Sequence, residues 1–302
     1  MSGVAGNPEA GEACLVIVGT PLGNLGDFSP RAQQALARAD LIACEDTRVT
    51  RRLLSHFGLH IRQVSFHEGN EMARLPQLVS KMEAGSRVAL VADAGMPGIS
   101  DPGYRLVRAC VDRGIPVEVV PGPSAAIAAL VVSGLPSARF AFEGFLPRRA
   151  GQRRKRLTEL AADERTLVFY ESPHRLADCL TDMLEVMGDR QVAMARELTK
   201  LHEEVLRGRV SEVLEQVGAR EILGECTLVV EGAPPAEIPA TGPGDAAAAV
   251  GRLEAQGMDR KSAMAAVARE LGLPKRQVYS AVVDMAKREG KPGRDRGRGG
   301  PE

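Results

Sequence analysis

Three loops rich in glycine and proline follow apolar runs and have the composition of a ligand-binding edge. They span residues 19–27, 93–103 and 121–125. Glycine lets a backbone approach a ligand and supplies positive φ, and proline fixes the neighbouring turn. In an open parallel sheet, loops at the carboxyl ends of the strands line the ligand crevice, so we expect these loops to share one. A simple strand-to-helix turn is the alternative for any one of them.

The spacing within the first loop limits the ligand. Gly19, Gly23 and Gly26 are spaced G-x3-G-x2-G, which is not the dinucleotide fingerprint, and no lysine followed by Ser or Thr makes a phosphate-binding loop. Exposed backbone N–H and C=O groups suit an adenine edge, a ribose or an amino-acid moiety. We therefore expect a ligand that is rich in amide and hydroxyl groups and poor in phosphate.

The elements that must position these loops follow a βαβ pattern in the first half of the chain. Apolar runs that predict strands alternate with helical segments and lie at 14–19, 40–44, 63–66, 87–93 and 117–122. The runs are continuously apolar, which is typical of a parallel sheet covered on both faces. We place this α/β domain at 13–138.

The rest of the chain predicts a second α/β domain and a small helical end. Strands of mixed direction are expected at 139–145, 166–172, 191–197 and 226–232, within a domain at 139–232. A proline-rich linker spans 233–245. The segment 246–289 predicts a small helix-turn-helix-like domain whose two helices meet at Gly272, with Pro274 at the start of the second. Residues 1–12 and 290–302 are expected to be disordered.

Composition narrows the class of protein. The 302 residues carry a formal net charge of +0, so the overall charge does not indicate a histone-like or membrane-surface protein, and nucleic-acid contact needs local basic patches. The five cysteines are scattered singly, without metal-ligand spacing, and predict reduced core residues and no metal site. Without a signal peptide or a long apolar segment, the expected location is the cytoplasm.

Eight motifs carry a resemblance to a known family. They lie at 17–36, 40–58, 93–107, 119–130, 143–149, 169–176, 195–208 and 228–232. Together they resemble the tetrapyrrole methylase superfamily, and within it the branch that methylates small-subunit ribosomal RNA. The resemblance runs from about residue 14 to 232, and the terminal helix pair resembles the small end domain of that branch.

The resemblance implies a fold and a cofactor. Members have two α/β domains of the tetrapyrrole methylase type, hold S-adenosylmethionine (AdoMet) in the cleft between them, and are commonly homodimers. Carried onto this chain, the resemblance gives the cofactor-binding candidates Gly19, Thr20, Pro21, Gly23, Asp93, Ala94, Gly95, Pro97, Ser100, Asp101, Pro102, Pro121, Gly122, Ser124 and Ala125.

The resemblance also implies a reaction, which is AdoMet-dependent methylation of the ribose 2′-hydroxyl of a cytidine in the decoding region of 16S rRNA. The partner would be 16S rRNA or the small ribosomal subunit, and no membrane is involved. The enzyme must align the nucleophile and accept its proton, which requires no metal. A precorrin-type C-methyltransferase and a non-catalytic RNA-binding assembly protein are the alternatives.

Two charged motifs that follow predicted strands supply the catalytic candidates. Glu45 and Asp46 could accept a proton or orient a ribose, although Asp46 could instead cap a helix. His67 is the second candidate base, and a structural histidine is its alternative. The branch usually has a histidine where this chain has Gly69, so a role for that histidine is absent here.

Basic residues supply the RNA-binding candidates. Arg48 follows the carboxylate pair, and a basic run contains Arg148, Arg149, Arg153, Arg154, Lys155 and Arg156. A solvated helix start is the alternative for this run. The terminal helices carry a second basic patch, for which dimer or interdomain packing competes with RNA binding. Similarly, Lys200 and Glu197 could either form a structural pair or act at the cleft.

Overall fold

The structure is a computed structural model that describes residues 13–234, 243–271 and 273–289. The chain forms two compact units, Met1–Ala233 and Pro234–Glu302. The predictions of disorder at 1–12 and 290–302, and most of the predicted linker, lie outside the described residues.

The first sheet contains the five strands that the apolar runs predict, all parallel to their neighbours. They are β1 (Cys14–Val18), β2 (Leu41–Cys44), β3 (Gln63–Ser65), β4 (Arg87–Val91) and β5 (Val117–Val120). Their order in the sheet is β3-β2-β4-β1-β5. The strand order reverses around β4 and β1, and the loops that follow these two strands are glycine-proline loops. Such a switch point is where open parallel sheets bind ligands.

Helices cover both faces of this sheet, as the continuous apolar runs predict. They are α1 (Pro30–Ala37), α2 (Thr47–His56), α3 (Glu71–Glu83) and α4 (Tyr104–Asp112). Alternate residues of β1 point to opposite faces, so that Val16 packs with α1 and α2 while Leu15 packs with α3 and α4. The two cores hold the sheet rigidly under the loops at its carboxyl edge.

The second sheet is mixed in strand direction. Its elements are α5 (Ala125–Ser133), β6 (Phe140–Phe145), α6 (Ala150–Leu160), β7 (Thr166–Glu171), α7 (Pro173–Met187), β8 (Gln191–Arg196), β9 (Glu204–Arg209), α8 (Val210–Gly218) and β10 (Cys226–Val230). The strand order is β6-β7-β10-β8-β9, where β6 is parallel to β7 and the other pairs are antiparallel. The sequence did not predict β9, because its charged residues interrupt the apolar pattern of a strand. In the structure, β9 pairs with β8 along its whole length.

Helix α5 links the two sheets. It precedes the predicted domain boundary at residue 138, yet Ala126, Ala129 and Leu130 pack against Val168 and Val229 of the second sheet. The other face of that sheet packs against α6, α7 and α8. The loop before α5 therefore starts at the first sheet and delivers a helix to the second. All five cysteines are buried and free, as expected of core residues.

The described residues of the unit Pro234–Glu302 form three helices. They are α9 (Pro243–Ala255), α10 (Arg260–Glu270) and α11 (Lys275–Glu289). Helices α10 and α11 match the predicted pair, whereas α9 begins inside the predicted linker. Val250, Val267 and Val278 meet in a shared core, and the carbonyl of Pro274 accepts the first hydrogen bonds of α11. Gly272 lies outside the described residues. Nowhere in the described ranges is a helix long and apolar enough to cross a membrane.

Candidate active site

A cavity of about 400 Å³, here called the main cavity, lies between the loop edge of the first sheet and strand ends of the second. The loops after β1, β2, β4 and β5 line one side, and the ends of β6 and β7 together with the start of β10 line the other. The residues of the first side are Leu22, Glu45, Asp93, Ala94, Gly95, Met96, Ile99, Ser100, Asp101, Ser124 and Ala125. The residues of the second side are Phe145, Tyr170, Glu171, Ser172, Pro173, Gly224, Glu225, Cys226 and Thr227.

The structure divides the cofactor-binding candidates into three groups. Seven lie in the lining of the main cavity, namely Asp93, Ala94, Gly95, Ser100, Asp101, Ser124 and Ala125. Pro21 and Gly23 line a neighbouring cavity. The others line neither cavity and are Gly19, Thr20, Pro97, Pro102, Pro121 and Gly122. The glycine-proline pattern thus contains residues that surround the space and residues that hold the loops together.

Gly19, Gly122 and Thr20 hold the three loops together. A Cβ atom on Gly19 would lie 2.6 Å from the Cα atom of Gly122, so the two backbones are in direct contact. Thr20 is buried and its hydroxyl donates to the carbonyl of Ala92 at 3.1 Å. The Thr20 and Gly95 N–H groups donate to each other's carbonyls at 2.9 and 3.1 Å. These contacts fix the shape of the cavity edge.

The loop at 93–103 reaches across to the second sheet through unusual backbone. Ser100 has a φ of 62°, a left-handed conformation that non-glycine residues adopt rarely and that clusters at functional sites. A Cβ atom on Gly144 would lie 3.2 Å from Ser100 Oγ. Gly144 itself has a φ of 63° at a register shift of β6. The tip of the loop therefore touches the bulged strand that forms the opposite wall.

Carboxyl groups of Glu45, Asp93, Asp101 and Glu225 surround the main cavity. Burial, followed by the negative charges of Glu45, Asp93 and Glu225, raises the pKa of Asp101 to about 7. Burial also raises the pKa values of Asp93 and Glu45. Within the described residues, no three such side chains converge to hold a metal ion. The negative field of the cavity instead favours an organic cation.

Of the three candidate catalytic residues, only Glu45 lines the main cavity. Asp46 caps α2 by accepting the Arg48 N–H at 2.7 Å, and it pairs with the Arg48 side chain at 2.6 Å. The bond from Arg48 lowers the pKa of Asp46 to about 2, so this carboxylate is a poor proton acceptor. The structure supports the interpretation of Asp46 as a helix cap. The guanidinium of Arg48 forms an ion pair with this same carboxylate.

His67 lies outside the cavity lining, in an exposed loop after β3. Its backbone N–H donates to Asn70 Oδ1 at 2.9 Å. Burial raises the pKa of Glu45, and the positive charge of His67 opposes this shift in part. The side chains of His67 and Glu45 are therefore close enough to interact electrostatically. A Cβ atom on Gly69 would lie 3.3 Å from the His67 ring. The loop therefore borders the cavity without contributing to its wall.

Half of the basic run from Arg148 to Arg156 is paired with acids from other elements. Arg153 has only 5% of its side chain exposed and pairs with Asp182 of α7 at 2.6 Å. Arg154 shares that carboxylate, and Arg156 pairs with Glu143. As a correction to the RNA-binding candidates, the guanidinium of Arg153 is a buried structural group that RNA cannot reach.

Three residues of this run are exposed without a carboxylate partner among the described residues. They are Arg148, Arg149 and Lys155. On the terminal helices, Arg260, Lys261, Lys275 and Arg276 are also exposed, while the side chains of Lys287 and Arg288 lie outside the described part.

Lys200 forms the structural pair that the sequence allowed. Its Nζ lies 2.9 Å from Glu197 Oε1 and 3.3 Å from Glu225, which lines the main cavity. Glu197 and Thr199 both have left-handed backbone, with φ values of 51° and 66°. The aliphatic stem of Lys200 packs against Gly23, where no Cβ atom would fit. The pair therefore fastens the second sheet to the first loop beside the cavity.

The second wall contains residues that were not among the candidates. The rings of Phe145 and Tyr170 lie 5.6 Å apart between centroids. Glu171 is buried, accepts the Ser172 N–H at 2.8 Å and pairs with Arg175. All lie where β6 and β7 end. Their position at the ends of predicted strands was the signal in the sequence that could have identified these residues. However, only the packing of the two sheets shows which strand ends face the cavity.

Comparison with known proteins agrees with this architecture. Residues 14–214 match the family of tetrapyrrole (corrin/porphyrin) methylases. The structure resembles a uroporphyrin-III C-methyltransferase from Thermus thermophilus complexed with S-adenyl homocysteine, with a TM-score of 0.53, 21% identity and coverage of 72% of this chain and 97% of that one. It also resembles the methyltransferase CobJ, with a TM-score of 0.57, 20% identity and coverage of 74% and 95%. At these identities the likeness concerns the fold.

Sequence relatives are much closer. A protein named ribosomal RNA small subunit methyltransferase I from Mycobacterium tuberculosis is 47% identical over 92% of this chain and 97% of its own length. Proteins of the same name from Synechocystis, at 44% identity over 90% of this chain and 98% of the relative, and from Xylella fastidiosa, at 52% over 72% and 81%, are also similar. The chain belongs to the tetrapyrrole (corrin/porphyrin) methylase family.

Proposed function

We propose that this protein is an AdoMet-dependent methyltransferase that methylates the ribose 2′-hydroxyl of a cytidine in the decoding region of 16S rRNA. The observation that carries the proposal is that relatives named for small-subunit rRNA methylation align with 90% or more of the chain. The substrate is 16S rRNA or the small ribosomal subunit, and the place of action is the cytoplasm.

The main cavity fits AdoMet. Its volume of about 400 Å³ lies within the range of small-molecule sites. Its carboxyl groups complement a ligand with a sulfonium and an ammonium group, and the aromatic pair offers an apolar wall. The loops at 93–101 and 124–125 would hold the cofactor through their backbone and the carboxyl of Asp101. When bound, AdoMet supplies a methyl group whose leaving thioether is neutral, so the protein needs no acid for the leaving group.

The remaining task of the protein is to align the hydroxyl and to take its proton. Asp93 and Glu45 are the two carboxyl groups that follow β4 and β2 into the cavity. Asp93 is held by the Asp46 N–H, which donates to Asp93 Oδ1 at 3.0 Å. Burial raises its pKa, and a base with a pKa nearer to neutrality accepts a proton more readily. We assign proton acceptance to Asp93, with Glu45 beside it.

The substrate is tested by incubating the protein and labelled AdoMet with small ribosomal subunits or with uroporphyrinogen III in parallel. RNA digested to nucleosides should contain labelled 2′-O-methylcytidine by liquid chromatography and mass spectrometry. Label in the tetrapyrrole and none in RNA would favour the C-methyltransferase alternative. Absence of AdoMet binding by calorimetry at micromolar concentration would favour the non-catalytic alternative.

We propose further that the protein is a homodimer. Strand β5 is an edge strand, and it exposes Val117 and Val119. Ile127 and Val131 of the following helix are 47% and 71% exposed. An apolar edge strand is a template for association and is normally covered. Sedimentation velocity measures the state directly, and a monomer at micromolar concentration would contradict the proposal.

AdoMet affinity should depend on pH through Asp101. The carboxyl has a pKa of about 7 because it is buried among Glu45, Asp93 and Glu225. Its charged form attracts the cationic cofactor, so AdoMet should bind about three- to tenfold more tightly at pH 8 than at pH 6. Calorimetric titration at both pH values measures the change, and Asp101→Asn should flatten it. An equal pH dependence in Asp101→Asn would assign the effect to another group.

The unliganded protein should show the opposite sign in its stability. A carboxyl whose pKa is raised by folding binds its proton more tightly in the native state. Its contribution to stability is therefore present at low pH and is lost as the pH rises from about 4 through about 7. The same Asp101→Asn variant removes this contribution. Thermal unfolding of the wild type and the variant at pH 6 and pH 8, without AdoMet, measures the difference in stability.

A further inference from the structure

A second cavity of about 330 Å³, here called the side cavity, adjoins the main cavity. Leu22 and Asp93 line both cavities, so the two spaces meet at these side chains. The loop after β1 forms one wall of the side cavity and α2 forms the other. The methyl acceptor must enter through a space that opens onto the methyl donor, and the side cavity is placed for this.

The walls of the side cavity combine an apolar surface with positive charge. Leu25 and Val49 both line it and remain 41% and 38% exposed, although both are apolar. Arg52 and His56 line it from α2 and are exposed. An apolar slot of this kind suits the face of a flat ring, and an adjoining guanidinium suits a phosphate.

Arg52 differs from Arg153, Arg154 and Arg156 of α6, which are all paired with carboxylates. Among the residues that the structure describes, no carboxylate forms an ion pair with Arg52. The sequence has no acidic residue between Asp46 and Glu68, and Asp46 is occupied by the N-cap and by Arg48. Helix α2 therefore carries, at Arg52, a positive charge that lies beside the proposed site of methyl transfer.

We infer that the side cavity binds the target nucleotide of single-stranded RNA, with its base against Leu25 and Val49 and its phosphate on Arg52. This inference rests on the proposed function and deepens it. A ribose lies between its base and its phosphate, so a nucleotide held at both ends presents the sugar to the wall at Asp93. Proteins that recognise specific nucleotides of RNA mostly bind single-stranded segments, whose unstacked bases can enter such a pocket.

The experiment compares matched variants in RNA binding and in methyl transfer. Arg52→Ala removes a charge that lines the side cavity, whereas Arg51→Ala removes one from the next, exposed position of α2 that does not line it. Val49→Phe fills the side cavity, and Val111→Phe is its control at an exposed site on α4. Binding of a fluorescein-labelled single-stranded RNA oligonucleotide is measured by anisotropy without AdoMet, and steady-state kinetics use small ribosomal subunits.

We expect Arg52→Ala and Val49→Phe each to weaken RNA binding by about tenfold and to raise KM for the subunit similarly, with unchanged AdoMet affinity. Arg52→Ala should also reduce the salt slope of RNA binding by about one ion. Equal losses in Arg51→Ala and Arg52→Ala, or wild-type binding by Val49→Phe, would overturn the assignment. The two hypotheses can fail separately. If the wild-type protein transfers no methyl group to RNA but these variants still lose RNA binding, the nucleotide pocket is supported and the proposed function is refuted.

Discussion

Asp93→Asn should lower kcat by about 10²- to 10⁴-fold while the protein remains folded, the range expected for loss of a positioned general base. Asp93 lines both cavities, at the point where donor and acceptor would meet. Asparagine keeps an oxygen that can accept the Asp46 N–H, so the contact at 3.0 Å can persist. The substitution therefore removes the negative charge and basicity and leaves the local structure in place. Single-turnover methyl transfer measures the effect.

The matched control is Asp46→Asn. Asparagine is as good an N-cap as aspartate, so α2 should be retained and kcat should stay within about threefold of the wild type. Asp46 and Asp93 are hydrogen-bonded neighbours, and the pair of variants separates a cap from a proton acceptor. A wild-type kcat in Asp93→Asn, or a comparable loss in Asp46→Asn, would reject the assignment of proton acceptance to Asp93.

Gly19→Ala should destabilise the protein by about 3 kcal/mol, at the upper end of ordinary overpacking. The added methyl group would lie 2.6 Å from both the Cα and the N atoms of Gly122 and 2.7 Å from the sulfur of Met96. Two backbones cannot move apart without disturbing the hydrogen bond from the Gly19 N–H to Val120. A loss of this size in a protein of this length corresponds to a decrease in Tm of about 6–12 °C.

Gly218→Ala is the control for this prediction. Gly218 ends α8, and nothing lies within 4 Å of the position of its Cβ atom. Alanine there should be neutral or stabilise the protein by up to about 1 kcal/mol. Thermal unfolding and AdoMet titration are measured on both variants. Since Gly19 contacts Met96 of the cavity lining, Gly19→Ala should also weaken AdoMet binding by displacing the loops. An unchanged Tm would contradict the prediction, because it would show that the backbones of Gly19 and Gly122 can separate at little cost.

Much of the fold can be predicted from local patterns. Continuous apolar runs predict the strands of the first sheet because a strand buried on both faces needs apolar side chains at every position. The glycine-proline loops predict the ligand edge because glycine readily adopts the positive φ values found at Gly95 and Gly98, while proline fixes the neighbouring turn. These signals are short in range, so neighbouring residues suffice to reveal them.

The basic run on α6 shows where local patterns fail. Six basic residues between Arg148 and Arg156 resemble an RNA-binding surface when they are read as a run. Asp182, which neutralises two of them, comes from α7 and lies 29 residues beyond Arg153. An ion pair depends on distance in space, which the packing of α6 against α7 sets. The basic surface beside the cavities lies instead on α2.

The sequence by itself determined the family, the parallel first sheet and the edge at which its loops gather. Only the tertiary structure decided that Asp46 is a helix cap, that Asp93 stands between two cavities, and that Gly19 and Gly122 support the lining from behind. The physical reason is that the cavity walls come from both sheets, whose facing strand ends are brought together by α5 and by contacts such as that of Ser100 with Gly144. Secondary structure follows from neighbours along the chain, whereas a cavity follows from the packing of distant elements.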